Sequence, residues 1–171
     1  RPFYFYNRKK IKIFTNKETS NFLLKRFNYL FIKSETSQSY FQPPLELHEI
    51  DYFEEIIVND IKINSIKQNH GVIDTLGFIF NDVFAYCTDV VNFPEKSFKY
   101  LQKLKVLIIT GLRQSPHMAH AHFDLSFEWI AKLNPDVAYL THLSPESDHD
   151  VVTKLCPPNT YPAYDGLVID I

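Results

Sequence analysis

The chain has 171 residues, with 18 Lys+Arg against 20 Asp+Glu and a formal charge of −2; 45% of its residues are hydrophobic and 15% aromatic. This length and apolar content fit one domain with a real core and exclude a disordered chain. No apolar run reaches the roughly 18 residues that a membrane helix needs, no cationic-then-apolar leader opens the sequence, and the charge balance argues against a large nucleic-acid surface. The two cysteines, Cys87 and Cys156, match neither a disulfide framework nor a zinc knuckle, which suits a reducing cytoplasm.

In chain order, Ile11–Thr15 alternates apolar and polar residues and reads as a strand. Lys17–Phe31 carries Phe22, Leu23, Phe27 and Leu30 at helical spacing, with Thr15 or Asn16 as its cap. Lys33–Pro44 is polar, ends in two prolines and reads as a loop. Leu45–Ile50 is the next strand. Ile56–Val58 and Ile61–Gln68 flank Asn59-Asp60, and Leu76–Phe80 and Val83–Thr88 flank Asn81-Asp82, so two tight hairpins are expected. Pro94–Leu104 reads as a helix with proline in its first turn. Val106–Thr110 and Val137–Thr141 are short apolar strands. Asp124–Leu133, with Asp124 as cap, and Ser147–Leu155 are helices, and Leu167–Ile171 is a final strand. The first half is then mainly antiparallel β and the second alternates β and α, which gives an α/β layered domain with helices covering a sheet.

The chemistry-bearing residues fall at strand ends: His70 after Ile61–Gln68, Asp89 after Val83–Thr88, and His142 after Val137–Thr141, with His122 just before a helix. Strand ends hold side chains rigidly, and their loops can gather them into one pocket. Two imidazoles and a carboxylate are a sensible ligand set for Zn2+, Mn2+ or Fe, and the two oxygens of an aspartate can bridge two ions. Each of these residues alone is more often a cap or a surface side chain. His117 and His120 equally suit an exposed polar loop.

An ordered series of short motifs adds to this: Asn69-His70-Gly71, Leu76-Gly77-Phe78, Tyr86-Cys87-Thr88-Asp89, Phe93-Pro94-Glu95, Gly111-Leu112-Arg113, Pro116-His117, His122-Phe123-Asp124-Leu125, Tyr139-Leu140-Thr141-His142-Leu143-Ser144 and Tyr164-Asp165-Gly166-Leu167. The series resembles the metallo-β-lactamase fold hydrolases, and within them the phosphoribosyl cyclic phosphodiesterase (PhnP-like) branch. The resemblance implies an αββα sandwich and a cytoplasmic metal-dependent hydrolase with two divalent ions, Zn2+ or Mn2+. It assigns His70, Asp89 and His142 to metal binding, with Asp89 as the bridging group. His122, favoured over His120 because Phe123-Asp124-Leu125 follows it, takes the position that contacts phosphate and transfers a proton. Asp165 takes a buried supporting place near the site. Arg113 is either a phosphate partner or a salt bridge anchoring its loop, and His120 is a weaker substrate contact. The expected partner is a small cyclic phosphate ester; a homodimer is compatible with it, and a membrane is not.

One departure is large. The family's His-x-His-x-Asp-His motif does not occur in these residues; His117-Met118-Ala119-His120-Ala121-His122 lacks the closing Asp-His and follows Asp89 instead of preceding His70. Residues 1–171 are therefore expected to be the C-terminal two-thirds of one domain of about 250–260 residues, without the early strands that carry that motif and with part of a core face exposed. Other hydrolases of the same fold (a tRNA 3′-processing nuclease or a thioester hydrolase) and a degenerate, non-catalytic domain are the competing expectations.

Overall fold

The computed structural model describes residues 2–33 and 42–171, so most of the expected loop at 33–44 lies outside the described residues. It divides into two compact units, residues 1–52 and 53–171.

The first unit holds α1 (Pro2–Asn7), β1 (Ile11–Thr15), α2 (Lys17–Phe27) continued by a 3-10 turn at Asn28–Leu30, and β2 (Leu45–Glu49). Helix α1 has no counterpart among the elements expected from sequence. Asn16 caps α2, its Oδ1 accepting the Thr19 N–H at 2.9 Å. The two strands pair in parallel, Ile11 opposite Leu45 and Thr15 opposite Glu49, an exception to the mainly antiparallel first half expected from sequence. A parallel pair needs a crossover, and α2 lies in it.

The second unit is a seven-stranded sheet in sequence order: β3 (Glu55–Val58), β4 (Ile61–His70), β5 (Ile73–Phe80), β6 (Phe84–Cys87), β7 (Val106–Thr110), β8 (Val137–Thr141) and β9 (Thr160–Pro162). Strands β3 to β6 pair antiparallel and β6 to β9 parallel. Both expected hairpin turns form, with Asn59, Asp60, Asn81 and Asp82 all at positive φ, as a two-residue turn of this hand requires. Three helices complete the unit: α3 (Glu95–Tyr100), α4 (Phe123–Leu133) and α5 (His149–Leu155). α3 stops at Tyr100, short of the expected Leu104. The cap of α4 is His122, so Asp124 falls inside the first turn. Asp148 caps α5 through the Val151 N–H. The tail from Leu167 forms no strand, which corrects the expected final strand there, and β9 is the last strand at the sheet edge.

One face of the sheet carries the core. Ile66, Ile79, Ala85, Leu107, Ile109 and Leu140 pack with Phe93 and Leu101 and with Trp129, Ile130 and Leu133 of α4. On the other face, Phe78, Tyr86, Ile108, Tyr139 and Tyr161 form one register row across β5 to β9. Tyr86 and Tyr161 are exposed, and the other three are partly so.

Candidate metal centre

The topology explains why the polar residues meet. β4 and β6 each run antiparallel to β5, so they point the same way, and β7 and β8 are parallel to β6. The carboxyl ends of four strands therefore lie at one end of the sheet, where open α/β sheets characteristically build their sites. His70 ends β4, Asp89 lies two residues past β6, Thr110 ends β7 and His142 directly follows β8. The segment from Gly111 to His122 leaves the same end. Asp89 and His142 both have left-handed backbone, φ 56 and 62, a rare state that turns each chain sharply as it leaves its strand.

His70 is set up as a donor. Its Nδ1 lies 2.8 Å from the Ala119 carbonyl oxygen. A carbonyl can only accept, so Nδ1 carries a proton, and in the neutral ring the lone pair is on Nε2, the arrangement common behind metal-bound imidazoles. Gly71 permits this approach: it sits at φ 76, and a Cβ there would meet the Met118 carbonyl oxygen at 3.1 Å.

His120 stands at the centre. Its ring lies edge-on to His70 at 4.5 Å, stacks on His142 at 4.7 Å and faces His117 at 5.1 Å. Its Nδ1 is buried without a hydrogen-bond partner among the described residues and lies 3.8 Å from Asp89 Oδ1. His142 Nε2 lies 3.7 Å from the same oxygen. Ligand atoms of His70, Asp89 and His120 all fall within 4.8 Å of one another. Donors about 2.0–2.2 Å from one Zn2+ stand roughly 3.4 Å apart at a tetrahedral angle, so this cluster would have to tighten to hold a divalent cation. Burial, followed by the charges that His70 and His142 can carry, holds the His120 pKa below the ordinary 6.5, and the Asp89 carboxylate opposes them. His120 is therefore neutral at neutral pH, with a lone pair available to an ion or a proton.

A lowered histidine pKa carries a stability consequence with a definite sign. As pH falls below 6.5, the unfolded chain takes up the His120 proton before the folded chain does, so stability is lost between 6.5 and the lower folded value. Thermal melting of metal-free protein is expected to shift down across that window, and to shift less in His120→Phe. Equal shifts in both proteins would remove His120 as the cause.

The structure brings together His70, Asp89 and His142 from the expected set, but it puts His120 among them where the motif order favours His122. Two hydrogen-bond registers explain this. Ala121 N–H donates to Val90 O at 2.7 Å, which pins the His120 side of the loop beside Asp89. Leu112 N–H donates to Ala121 O, Phe123 N–H donates to Arg113 O, and the His122 carbonyl accepts from Ser126, so His122 is committed to the start of α4. Arg113 follows its anchoring alternative: the guanidinium donates to Ser115 O, Pro116 O and Glu146 Oε1 at 3.3–3.4 Å. Asp165 is exposed, in the turn closed by Leu167 N–H on Tyr164 O, which corrects its expected burial. His117 suits an exposed loop on sequence grounds, yet its Nδ1 accepts the Ala119 N–H at 3.2 Å, which leaves Nε2 as the ring's N–H, and its ring lies 5.1 Å from that of His120. Thr75, Thr110 and Gln68, which hold the Asp89 loop, carry no signal in the sequence, because no linear spacing marks contacts made between strands.

Residues 3–143 match the family model of the beta-lactamase superfamily domain. A solved diphosphatase of the PhnP family is 27% identical, with a TM-score of 0.81 over 93% of this chain and 57% of its own. Zn2+-bound PqqB from Methylobacterium extorquens is 12% identical, with a TM-score of 0.67 over 96% of this chain and 66% of its own. Human tRNase Z, short form, is 13% identical, with a TM-score of 0.66 over 96% and 68%. The chain thus spans 57% of the length of the PhnP-family diphosphatase. No curated protein sequence matches it, and no helix among the described residues is long and apolar enough to cross a membrane. Sheet order, the end of the sheet where the histidines gather and a match over most of its length together place the chain in the beta-lactamase superfamily, with the metallo-β-lactamase fold and a likeness to its PhnP branch.

Proposed function

We propose that this chain forms part of a metal-dependent hydrolase of phosphoric diesters that acts on a small cyclic phosphate. The observation that carries the reading is the cluster itself: His70 with its Nε2 left free by the Nδ1 hydrogen bond, beside Asp89 and the unpartnered, buried Nδ1 of His120. The 27% identical PhnP-family diphosphatase supports phosphate chemistry over the other reactions of this fold.

His70 and Asp89, with His142 Nε2 3.7 Å from the Asp89 carboxylate, would hold the metal, with Zn2+ or Mn2+ and two ions as the proposed occupancy, and His120, although it stands within the same cluster, is assigned to proton transfer. When bound, a divalent ion supplies Lewis acidity at a phosphate oxygen and lowers the pKa of a coordinated water. Asp89 brings the negative charge that offsets the cation, and its second oxygen leaves it able to bridge. His70, fixed in one tautomer by Ala119, keeps its ring from turning. His120 is neutral before reaction, so it could accept a proton from the attacking water as the new P–O bond forms and return it to the departing ester oxygen as the old P–O bond breaks; such transfer contributes about 10²–10⁴-fold. His117 lies next to it with an Nε2–H to offer a phosphoryl oxygen.

The test compares substrates in the intact protein that carries this chain. With Mn2+ added, cleavage of a p-nitrophenyl phosphodiester is expected to exceed hydrolysis of an acyl thioester, and to disappear in His70→Ala. Faster thioester than diester hydrolysis would overturn the substrate class. No turnover of either, in protein shown to bind Mn2+, would overturn the catalytic reading in favour of a degenerate domain.

A further inference from the structure

We propose that Gln68, Thr75 and Thr110 are positioning residues that hold Asp89 in the backbone conformation bringing its carboxylate to His120 and His142. This rests on the metal-site reading above. Asp89 sits at φ 56, a region that an L-residue occupies only when its surroundings hold it there. Side chains from three strands do so.

Thr110 Oγ1, at the end of β7, accepts the Asp89 N–H at 3.1 Å. Thr75 Oγ1, on β5, donates to the Asp89 carbonyl at 2.8 Å. Gln68 Nε2, on β4, donates to the preceding carbonyl, that of Thr88, at 2.8 Å and to Thr75 Oγ1 at 3.2 Å. Both peptide groups flanking the Asp89 Cα are therefore fixed by side chains and not by the sheet ladder. The Gln68 contact also decides which way the Thr75 hydroxyl points: its lone pair receives the amide, and its single proton goes to Asp89.

Gln68 and Thr110 are completely buried, and Gln68 Oε1 is buried with no hydrogen-bond partner among the described residues. An unpaired buried acceptor costs stability that a leucine of similar size would avoid. What the amide contributes and a leucine would not is its pair of donated bonds to the Asp89 loop. Gly77 leaves the space for it, because a Cβ there would clash with Gln68 Oε1. The hydrogen bonds of all three side chains run to the loop backbone or to one another, so they act on the cluster through Asp89.

The experiment is a calorimetric Zn2+ titration of the intact protein and of Thr75→Val, Thr110→Val and Thr75→Ser, with far-ultraviolet circular dichroism to confirm folding. The two valine variants keep the shape and lose the hydroxyl. They are expected to bind Zn2+ about 10–100-fold more weakly, the usual effect of removing an outer partner. Thr75→Ser keeps the hydroxyl and is expected to stay close to the unaltered protein. In an Asp89→Asn background, Thr75→Val is expected to cause no further loss, since its effect passes through that carboxylate. Folded valine variants with unaltered affinity would overturn the proposal, as would an undiminished Thr75→Val effect in the Asp89→Asn background. If the unaltered protein takes up no Zn2+, the metal-site reading itself fails. Amide hydrogen exchange at Asp89 then decides the positioning role on its own: faster exchange in Thr110→Val supports it, and unchanged exchange overturns it.

Discussion

Asp89→Asn is expected to weaken Zn2+ binding by more than about 100-fold, to an affinity that calorimetry still reads, while leaving the fold intact, and His120→Ala is expected to keep the ion and lose turnover. Asparagine has the same shape as aspartate and tolerates left-handed backbone about as well, so the φ of 56 at this position is not disturbed. What goes is the charge of the one carboxylate grouped with His70 and His120 among the described residues. The affinity loss should exceed the roughly 10–100-fold typical of outer partners, because Asp89 would touch the ion directly. His120→Ala removes a ring that lies between His70 and His142 without touching the carbonyl that orients His70. Its expected signature is a fall in kcat of roughly 10²–10⁴ with metal content retained. Metal content by atomic absorption and kcat on the same preparations separate the two cases. An Asp89→Asn protein with full metal would remove Asp89 from the ligand set, and a His120→Ala protein that loses its metal would move His120 into it.

The second large effect is on stability. Trp129→Ala in α4 should cost about 3–5 kcal/mol, the range for emptying a buried aromatic site. Trp129 is 4% exposed and meets Phe93 edge-on at 4.8 Å and Phe98 at 6.5 Å, so both area burial and paired-ring geometry are lost together. Against a typical total stability of about 5–15 kcal/mol, a loss of that size removes a large share of it. The chain has one tryptophan, so urea unfolding must be followed by circular dichroism and not by indole fluorescence. Trp129→Phe keeps most of the packing and should lie between the two. A midpoint for the alanine variant equal to that of the unaltered protein would show that α4 does not anchor this core.

Much of the fold is legible in the sequence where the signal is local. Ile11–Thr15, Val106–Thr110 and Val137–Thr141 form strands with the expected bounds, since short alternating or wholly apolar runs between polar residues have few other stable states. Asn59-Asp60 and Asn81-Asp82 make their turns because asparagine and aspartate accept positive φ at low cost. The elements that differ from expectation are those set by neighbours. α1 has no buried residue to give a periodic signal. β9 is three residues long and exists through its pairing with β8, whereas Leu167–Ile171 has a strand's composition and pairs with no strand among the described residues. The parallel pairing of β1 with β2 depends on where the chain returns after α2, which no residue in either strand encodes.

The site divides in the same way. The residue types and their places near strand ends are determined by the sequence alone: Asp89 and His142 follow short, mostly apolar runs, and His70 closes an alternating one. That these ends coincide is a property of strand direction, decided by two antiparallel pairings followed by two parallel ones. That His120 lies beside Asp89 follows from the Ala121 to Val90 hydrogen bond, a contact between residues far apart in the chain that no motif reports. Arg113 and Asp165 carry the right chemistry for a site, but only tertiary structure shows one fork spent on its own loop and the other side chain facing solvent. Residue chemistry is written along the chain, whereas a metal centre is a matter of distances between strands, and those distances exist only once the sheet has formed.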